Sequence, residues 1–215
     1  MIKAILFDFD GTLADTAPAI VMTMQQTFKV MGIDVPSDEA IRRTIGLPLE
    51  ASVKKLGHLN DEDVKTATET YRGLFPTYQV DYIGLFPDMA KTLTELNQSG
   101  VRMAICTSRS AASLDSICEH HSIKDFFETR MTVDDKLPSK PAPDMVLALL
   151  NKMQLQKEDA LVVGDTTFDI EMGNRAGCKT VAVTWGNHSR QQLTEAQPTF
   201  IIDRIEQIKD ITAQL

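Results

Sequence analysis

The most constraining stretch is Ala4-Ile5-Leu6-Phe7, apolar at every position and ended by Asp8-Phe9-Asp10-Gly11-Thr12. Four successive apolar residues leave no face for water, so the run suits a central strand of a parallel sheet covered on both sides. Side chains alternate along a strand. Asp8 and Asp10 therefore project the same way while extended geometry lasts, off the carboxyl end, where open α/β sheets place ligands. Two neighbouring carboxylates repel, and both ionise only if a cation or hydrogen bonds compensate. A hard divalent cation such as Mg²⁺ supplies that compensation. Taken alone, the same residues are equally a strand closing on an acidic turn, with Asp10 as turn former.

The rest of the chain decides between these. Asp15 or Thr16 is placed to cap a helix with Pro18 in its first turn, and Ile20, Met24 and Phe28 form its apolar stripe. Ser37 opens another helix, Ile45-Gly46-Leu47-Pro48 is a break, and Val64, Ala67, Tyr71, Leu74 and Tyr78 form a second stripe. No strand is evident before Gly84, so this stretch reads as a helical insert after the first strand. Beyond it, strand and helix alternate. Strands are expected at 101–106, 129–133, 160–163, 180–183 and 200–202, and helices at 87–97, 111–120 and 144–153, with one ending near Gly177 and a last from about Arg204. That alternation is the mark of a parallel α/β sheet.

Three of these strands end on polar residues: Asp8 and Asp10, Thr107 and Ser108, and Asp165. One such ending is unremarkable; three meeting at one sheet edge make a site. Lys140 adds a cation in the Pro-flanked loop Ser139-Lys140-Pro141-Ala142-Pro143, where the chain is conformationally restricted. Carboxylates for a metal, a hydroxyl and a lysine are the inventory of phosphoryl transfer. Asp8 can serve as its nucleophile. Asp165 and Asp169 also suit a helix cap. Arg42 and Arg43 are placed either to reach a substrate or to lie on a solvated face. His58, His120, His121 and His188 lack metal-ligand spacing and read as surface or helix-end residues, Met22, Met24 and Met31 as packing, and Trp185 as packing near the rim of the site.

Composition excludes other classes. The chain has 215 residues, 43% hydrophobic and 24% charged, as in a soluble globular protein. A net charge of -8 and a pI of about 5.0 argue against nucleic acid or an anionic membrane as the main partner. Cys106, Cys118 and Cys178 are odd in number and form no C-x-x-C, which fits free thiols in a reducing cytoplasm. No run has the ~18 apolar residues of a membrane span, and Met1-Ile2-Lys3 enters a strand without a signal-peptide layout.

Asp8-Phe9-Asp10-Gly11-Thr12, Thr107-Ser108-Arg109, Lys140-Pro141 and Gly164-Asp165-x-x-x-Asp169 resemble, in order, the four motifs of the haloacid dehalogenase-like (HAD) hydrolase superfamily. The insert is similar to the small C1-type cap of the branch that holds phosphoglycolate phosphatase, a pyrophosphatase and β-phosphoglucomutase. Thr132-Val133-Asp134-Asp135 and the Thr184-Trp185-Gly186 region are similar to that branch's phosphatases.

The resemblance implies a Rossmann-like parallel core over residues 1–15 and 83–215, with a helical cap over 16–82. It implies a cytoplasmic, Mg²⁺-dependent phosphatase acting on a small phosphorylated metabolite, phosphoglycolate, pyrophosphate or a sugar phosphate, as a monomer or homodimer. Asp8 would be nucleophile and metal ligand. Asp10 would be general acid and base, its main-chain carbonyl also on the metal. Thr107, the Ser108 amide and Lys140 would hold the phosphoryl group, and Asp165 and Asp169 would complete the metal site. Arg109 stands where close relatives often have a small polar residue or lysine, and receives no role. A phosphosugar mutase would use the same residues. A haloacid dehalogenase would depart from Asp10, and a non-catalytic fold relative would not need the intact set.

Overall fold

The computed structural model describes residues 2–215. Ala4–Phe7 forms β1, with all four residues buried. It pairs in parallel with β4 (Arg102–Cys106) on one side and β6 (Ala160–Gly164) on the other. Beyond β4 lies β5 (Thr129–Met131); beyond β6 lie β7 (Lys179–Val183) and β8 (Phe200–Ile202), all parallel. The chain runs outward from β1 on one side, then returns to run outward on the other. Strand order reverses at β1, and a crevice opens there at the carboxyl edge.

Strand alternation gives β1 two cores. Ile5 and Phe7 join a cluster with Leu93 of α5 (Met89–Gln98), Leu114 of α6 (Ala111–His120) and Ile208 of α10 (Gln207–Gln214). Ala4 and Leu6 join another, with Val146 and Leu149 of α7 (Asp144–Met153) and Met172 of α8 (Thr167–Ala176). The apolar run is thus covered on both faces, as an all-parallel sheet requires.

Between β1 and α5 stand α1 (Ala17–Val30), α2 (Asp38–Arg42), α3 (Leu49–Gly57) and α4 (Asp61–Tyr82). They are flanked by β2 (Ala14–Asp15) and β3 (Gly84–Leu85). These two short strands pair antiparallel, so the chain entering and the chain leaving the helical unit form one ribbon. Met24 and Phe28 of α1 are buried, and α1 packs along α4. On α4 the buried stripe is Val64, Ala67, Tyr71 and Phe75, whereas Leu74 and Tyr78 are only partly covered.

Some local expectations are corrected. Ser37 caps α2, accepting from the Ala40 amide at 3.2 Å, but Thr16 makes no cap bond and its buried hydroxyl has no partner. Asp15 is taken up in β2. β5 stops at Met131 rather than 133, because the Asp135 carboxylate accepts from the Thr132 amide (2.7 Å) and hydroxyl (3.1 Å) and coils Val133–Asp135 into a 3₁₀ turn. The last helix starts at Gln207 rather than Arg204, because the Gln207 side chain accepts from the amides of Asp203 and Arg204. A helix not expected, α9 (Arg190–Glu195), opens on the capping box Ser189-x-x-Gln192. Among the described residues no helix is long and apolar enough to cross a membrane.

Candidate active site

Phe7 lies opposite Ile105 on β4 and Val163 on β6. Asp8, Thr107 and Asp165 therefore leave the sheet at neighbouring points of one edge, and all three are buried. The Asp8 amide still donates to the Val163 carbonyl at 2.8 Å, so the sheet ladder itself fixes this carboxylate.

Lys140 enters from the loop between β5 and α7. Its Nζ lies 2.6 Å from Asp8 Oδ1 and 2.7 Å from Asp169 Oδ1, fully buried. Burial opposes its charge, but Asp169 and Asp8 outweigh that and hold it above the ordinary lysine range. The two sequence readings of Asp169 divide between its oxygens. Oδ1 meets Lys140, while Oδ2 caps α8 by accepting from the Thr166 amide (3.1 Å) and hydroxyl (2.6 Å).

Asp165 is held on both oxygens. Oδ1 accepts from the Thr12 hydroxyl at 2.9 Å; Oδ2 accepts from the Asn187 amide at 2.7 Å and its side chain at 2.9 Å. Thr12 and Asn187 were not singled out for this in the sequence, and Asn187 lies 22 residues away with no local signal. The fit depends on Gly11, whose φ is +86 and where a Cβ would lie 2.2 Å from Asp165 Oδ2. Gly11→Ala is expected to cost roughly 2 kcal/mol or more, from left-handed backbone plus the clash. Thermal melting should show the loss, and activity should fall with it.

One oxygen each of Asp8, Asp165 and Asp169 lies within 4.8 Å of the others. Asp8 Oδ2 is buried without a partner. Three buried carboxylates with an orphaned oxygen suit a hard divalent cation, and an all-oxygen donor set suits Mg²⁺ rather than zinc. Burial, with Asp169, Asp165 and Asp10 adding to it, pushes Asp8 well above the carboxylate range despite Lys140. Burial, then Asp169, pushes Asp165 up to about 7.

The Asp10 carboxylate stands apart from this cluster. Arg109 clamps it, with Nε 3.2 Å from each oxygen and Nη2 on Oδ1. Nη1 donates to Ser113 Oγ at 2.7 Å, and the guanidinium lies 4.9 Å from the ring centre of Phe75 on α4. Sequence reasoning left Arg109 without a task because nothing in chain order shows that it reaches Asp10. Thr107 Oγ1 accepts from the Arg109 amide at 3.2 Å. The Ser108 hydroxyl donates to the Gly46 carbonyl at 2.7 Å, tying the sheet edge to the helical unit. A cavity of about 440 Å³ lies between them, with Asp8 and Asp10 at its floor. Arg42 and Arg43 do not line it; both are exposed, and Arg43 pairs with Glu39.

His188 is a correction in part: it stands at a helix end, next to the Ser189 cap of α9, but it is not a surface residue. It is buried, its Nδ1 accepts from the Thr167 amide at 3.0 Å at the start of α8, and its ring meets Phe168 edge-on. Trp185 donates from Nε1 to the Thr12 carbonyl at 3.1 Å, against Phe86. The three cysteines are buried and free.

Residues 5–183 match the model of the haloacid dehalogenase-like hydrolase family. Pyrophosphatase PpaX of Oceanobacillus iheyensis is 32% identical, over 98% of this chain and 95% of its own length. A phosphoglycolate phosphatase of Vibrio vulnificus is 28% identical, over 98% and 96%. A solved haloacid dehalogenase-like hydrolase from Streptococcus pneumoniae is 29% identical and superposes with a TM-score of 0.87, over 98% of each chain. The fold is therefore shared along nearly the whole chain, and the chain belongs to the haloacid dehalogenase-like hydrolase family, on its phosphatase side.

Proposed function

We propose that this hydrolase is a Mg²⁺-dependent phosphatase that cleaves a small phosphate monoester through an aspartyl-phosphate. The observation that carries this reading is Asp8. It lies at the cavity floor, with one oxygen on Lys140 and the other buried and free. Asp8, Asp165 and Asp169, with the main-chain carbonyl of Asp10, would hold the cation, which when bound offsets charge on the phosphoryl oxygens.

The chain's own groups do the rest. An Asp8 oxygen forms the bond to phosphorus as the bond to the leaving alcohol breaks. Asp10 gives that alcohol its proton, then takes a proton from the water that attacks the phospho-enzyme. Arg109 holds the Asp10 carboxyl group in place at the cavity floor for both halves. Lys140 shields Asp8 from the incoming phosphate and binds the phosphoryl group, with Thr107 and the Ser108 amide beside it. The named relatives do not favour the mutase reading.

Release of inorganic phosphate should require Mg²⁺ and stop in excess chelator, and brief turnover should leave an acyl phosphate at Asp8, which tritiated borohydride would reduce to labelled homoserine as the phosphate leaves. Full activity in chelator, or label on another residue, would overturn the scheme.

The raised carboxylates also set a pH dependence. A carboxyl group whose folded pKa is raised binds its proton more tightly in the folded chain, so stability falls as pH climbs from the unfolded value toward the folded one. For Asp165 that window runs from 3.8 to about 7, and Asp8 shifts the same way. In chelator, the melting temperature should fall by several degrees between pH 5 and 8. With Mg²⁺ the slope should flatten. A metal-free chain that gains stability over this range would contradict the reading.

A further inference from the structure

The cavity's dimensions and its charge pairing bear on the leaving group. At about 440 Å³ it falls in the range of roughly 300–1,000 Å³ that holds drug-sized ligands. Phosphoglycolate or pyrophosphate would leave much of it empty. Its walls on the helical side carry Ile20, Met24, Ile45, Leu47, Leu49 and Phe75. Ser110, Ser116 and Gln79 add uncharged hydrogen-bonding groups.

The cations lining this space are Arg109 and Arg72, and each already has a carboxylate. Arg109 is on Asp10, and Arg72 is 2.8 Å from Glu50. Both of those acids line the cavity as well. A second anion on the substrate could recruit either arginine only by leaving Asp10 or Glu50 facing it unpaired. Exposed pairs such as Arg72–Glu50 are weak, so the arginine can move, but the acid left behind still repels. Below, Lys140 is shared between Asp8 and Asp169. At and beneath the floor, Asp8, Asp10, Asp165 and Asp169 stand against Lys140 and Arg109, and a bound dication would balance them without surplus.

We infer that the site selects a phosphate monoester whose leaving alcohol is uncharged and largely apolar, of aromatic bulk, and discriminates against substrates with a second anionic group. This rests on the phosphatase reading and narrows it. The specificity-setting residues are the apolar wall and the Glu50–Arg72 pair.

A matched series tests it. Phenyl phosphate and 4-carboxyphenyl phosphate differ by one carboxylate at nearly constant size; phosphoglycolate and pyrophosphate complete the set, all assayed with Mg²⁺. Phenyl phosphate should exceed the other three in kcat/KM by about tenfold or more, the scale on which like-charge juxtaposition discriminates. Glu50→Gln releases Arg72, so the ratio of phenyl to 4-carboxyphenyl phosphate should fall several-fold toward one. Equal or better turnover of 4-carboxyphenyl phosphate, phosphoglycolate or pyrophosphate by the unaltered chain would overturn the inference while leaving the phosphatase reading intact. A ratio unmoved by Glu50→Gln would refute the role of the pair. No phosphate from any of the four would refute both.

Discussion

A chain carrying Asp8→Asn is expected to release phosphate at the background rate, a loss of ~10⁴-fold or more, the scale on which removing a covalent nucleophile acts. Two functions go at once: the oxygen that bonds phosphorus, and one of the three carboxylates that cluster within 4.8 Å. The fold should survive. Asn is isosteric, its side-chain oxygen can still accept from Lys140, and Lys140 keeps its second partner in Asp169 at 2.7 Å. Burial and the neighbouring acids already disfavour ionised Asp8. Without metal, the variant should therefore melt no lower than the parent at pH 8. Calorimetry and phosphate release, measured on one preparation, separate the two effects. Activity within tenfold of the parent would remove Asp8 from the chemistry; a collapse in melting temperature would mean that its charge is structural instead.

What the sequence conveyed was mostly the part that periodicity and chain order encode. The run from Ala4 to Phe7 has no polar face, and it lies where such a run must, between β4 and β6. The polar strand endings at Asp8, Thr107 and Asp165 follow from the same geometry, because parallel strands in register end at one edge. Side-chain reach is not encoded that way. Arg109 bonds Asp10 across 99 residues of sequence, and Asn187 bonds Asp165 across 22. His188 looked peripheral because a lone histidine in a loop has no period, yet it accepts the Thr167 amide at the start of α8. The β2–β3 ribbon escaped notice because each strand is two residues long, too short for any alternation to show. α9 was missed although its capping box was visible, because its six residues carry little apolar pattern.

Lys140→Met should cost stability as well as activity, and the loss should depend on pH. Lys140 is the buried cation between Asp8 and Asp169, fully covered at its side chain. Met has a similar length, so packing changes little; the change is that buried acids lose their counter-charge. Breaking a buried pair by removing one partner costs roughly 3–5 kcal/mol. For a chain of this size that is on the order of 10 °C in melting temperature. Protonation relieves it. Without Lys140 the Asp8 carboxyl, already raised, is raised further, so its proton is bound more tightly in the folded chain and stability is lost as pH rises. The gap from the parent should be small near pH 5 and wide at pH 8. Adding Mg²⁺ at pH 8 should recover part of it, because a dication at the same carboxylates supplies the missing charge. Activity should not return with it. Lys140 also binds the transferring phosphoryl group, and loss of one such charge at a phosphoryl site is worth roughly 10²–10³-fold. The double variant Lys140→Met, Asp169→Asn removes a carboxylate along with the lysine, and should regain stability at pH 8 while remaining as inactive as the single variant. A single variant that melts equally far below the parent at pH 5 and pH 8 would show that Lys140 acts by packing, and would remove the electrostatic account of the site's floor.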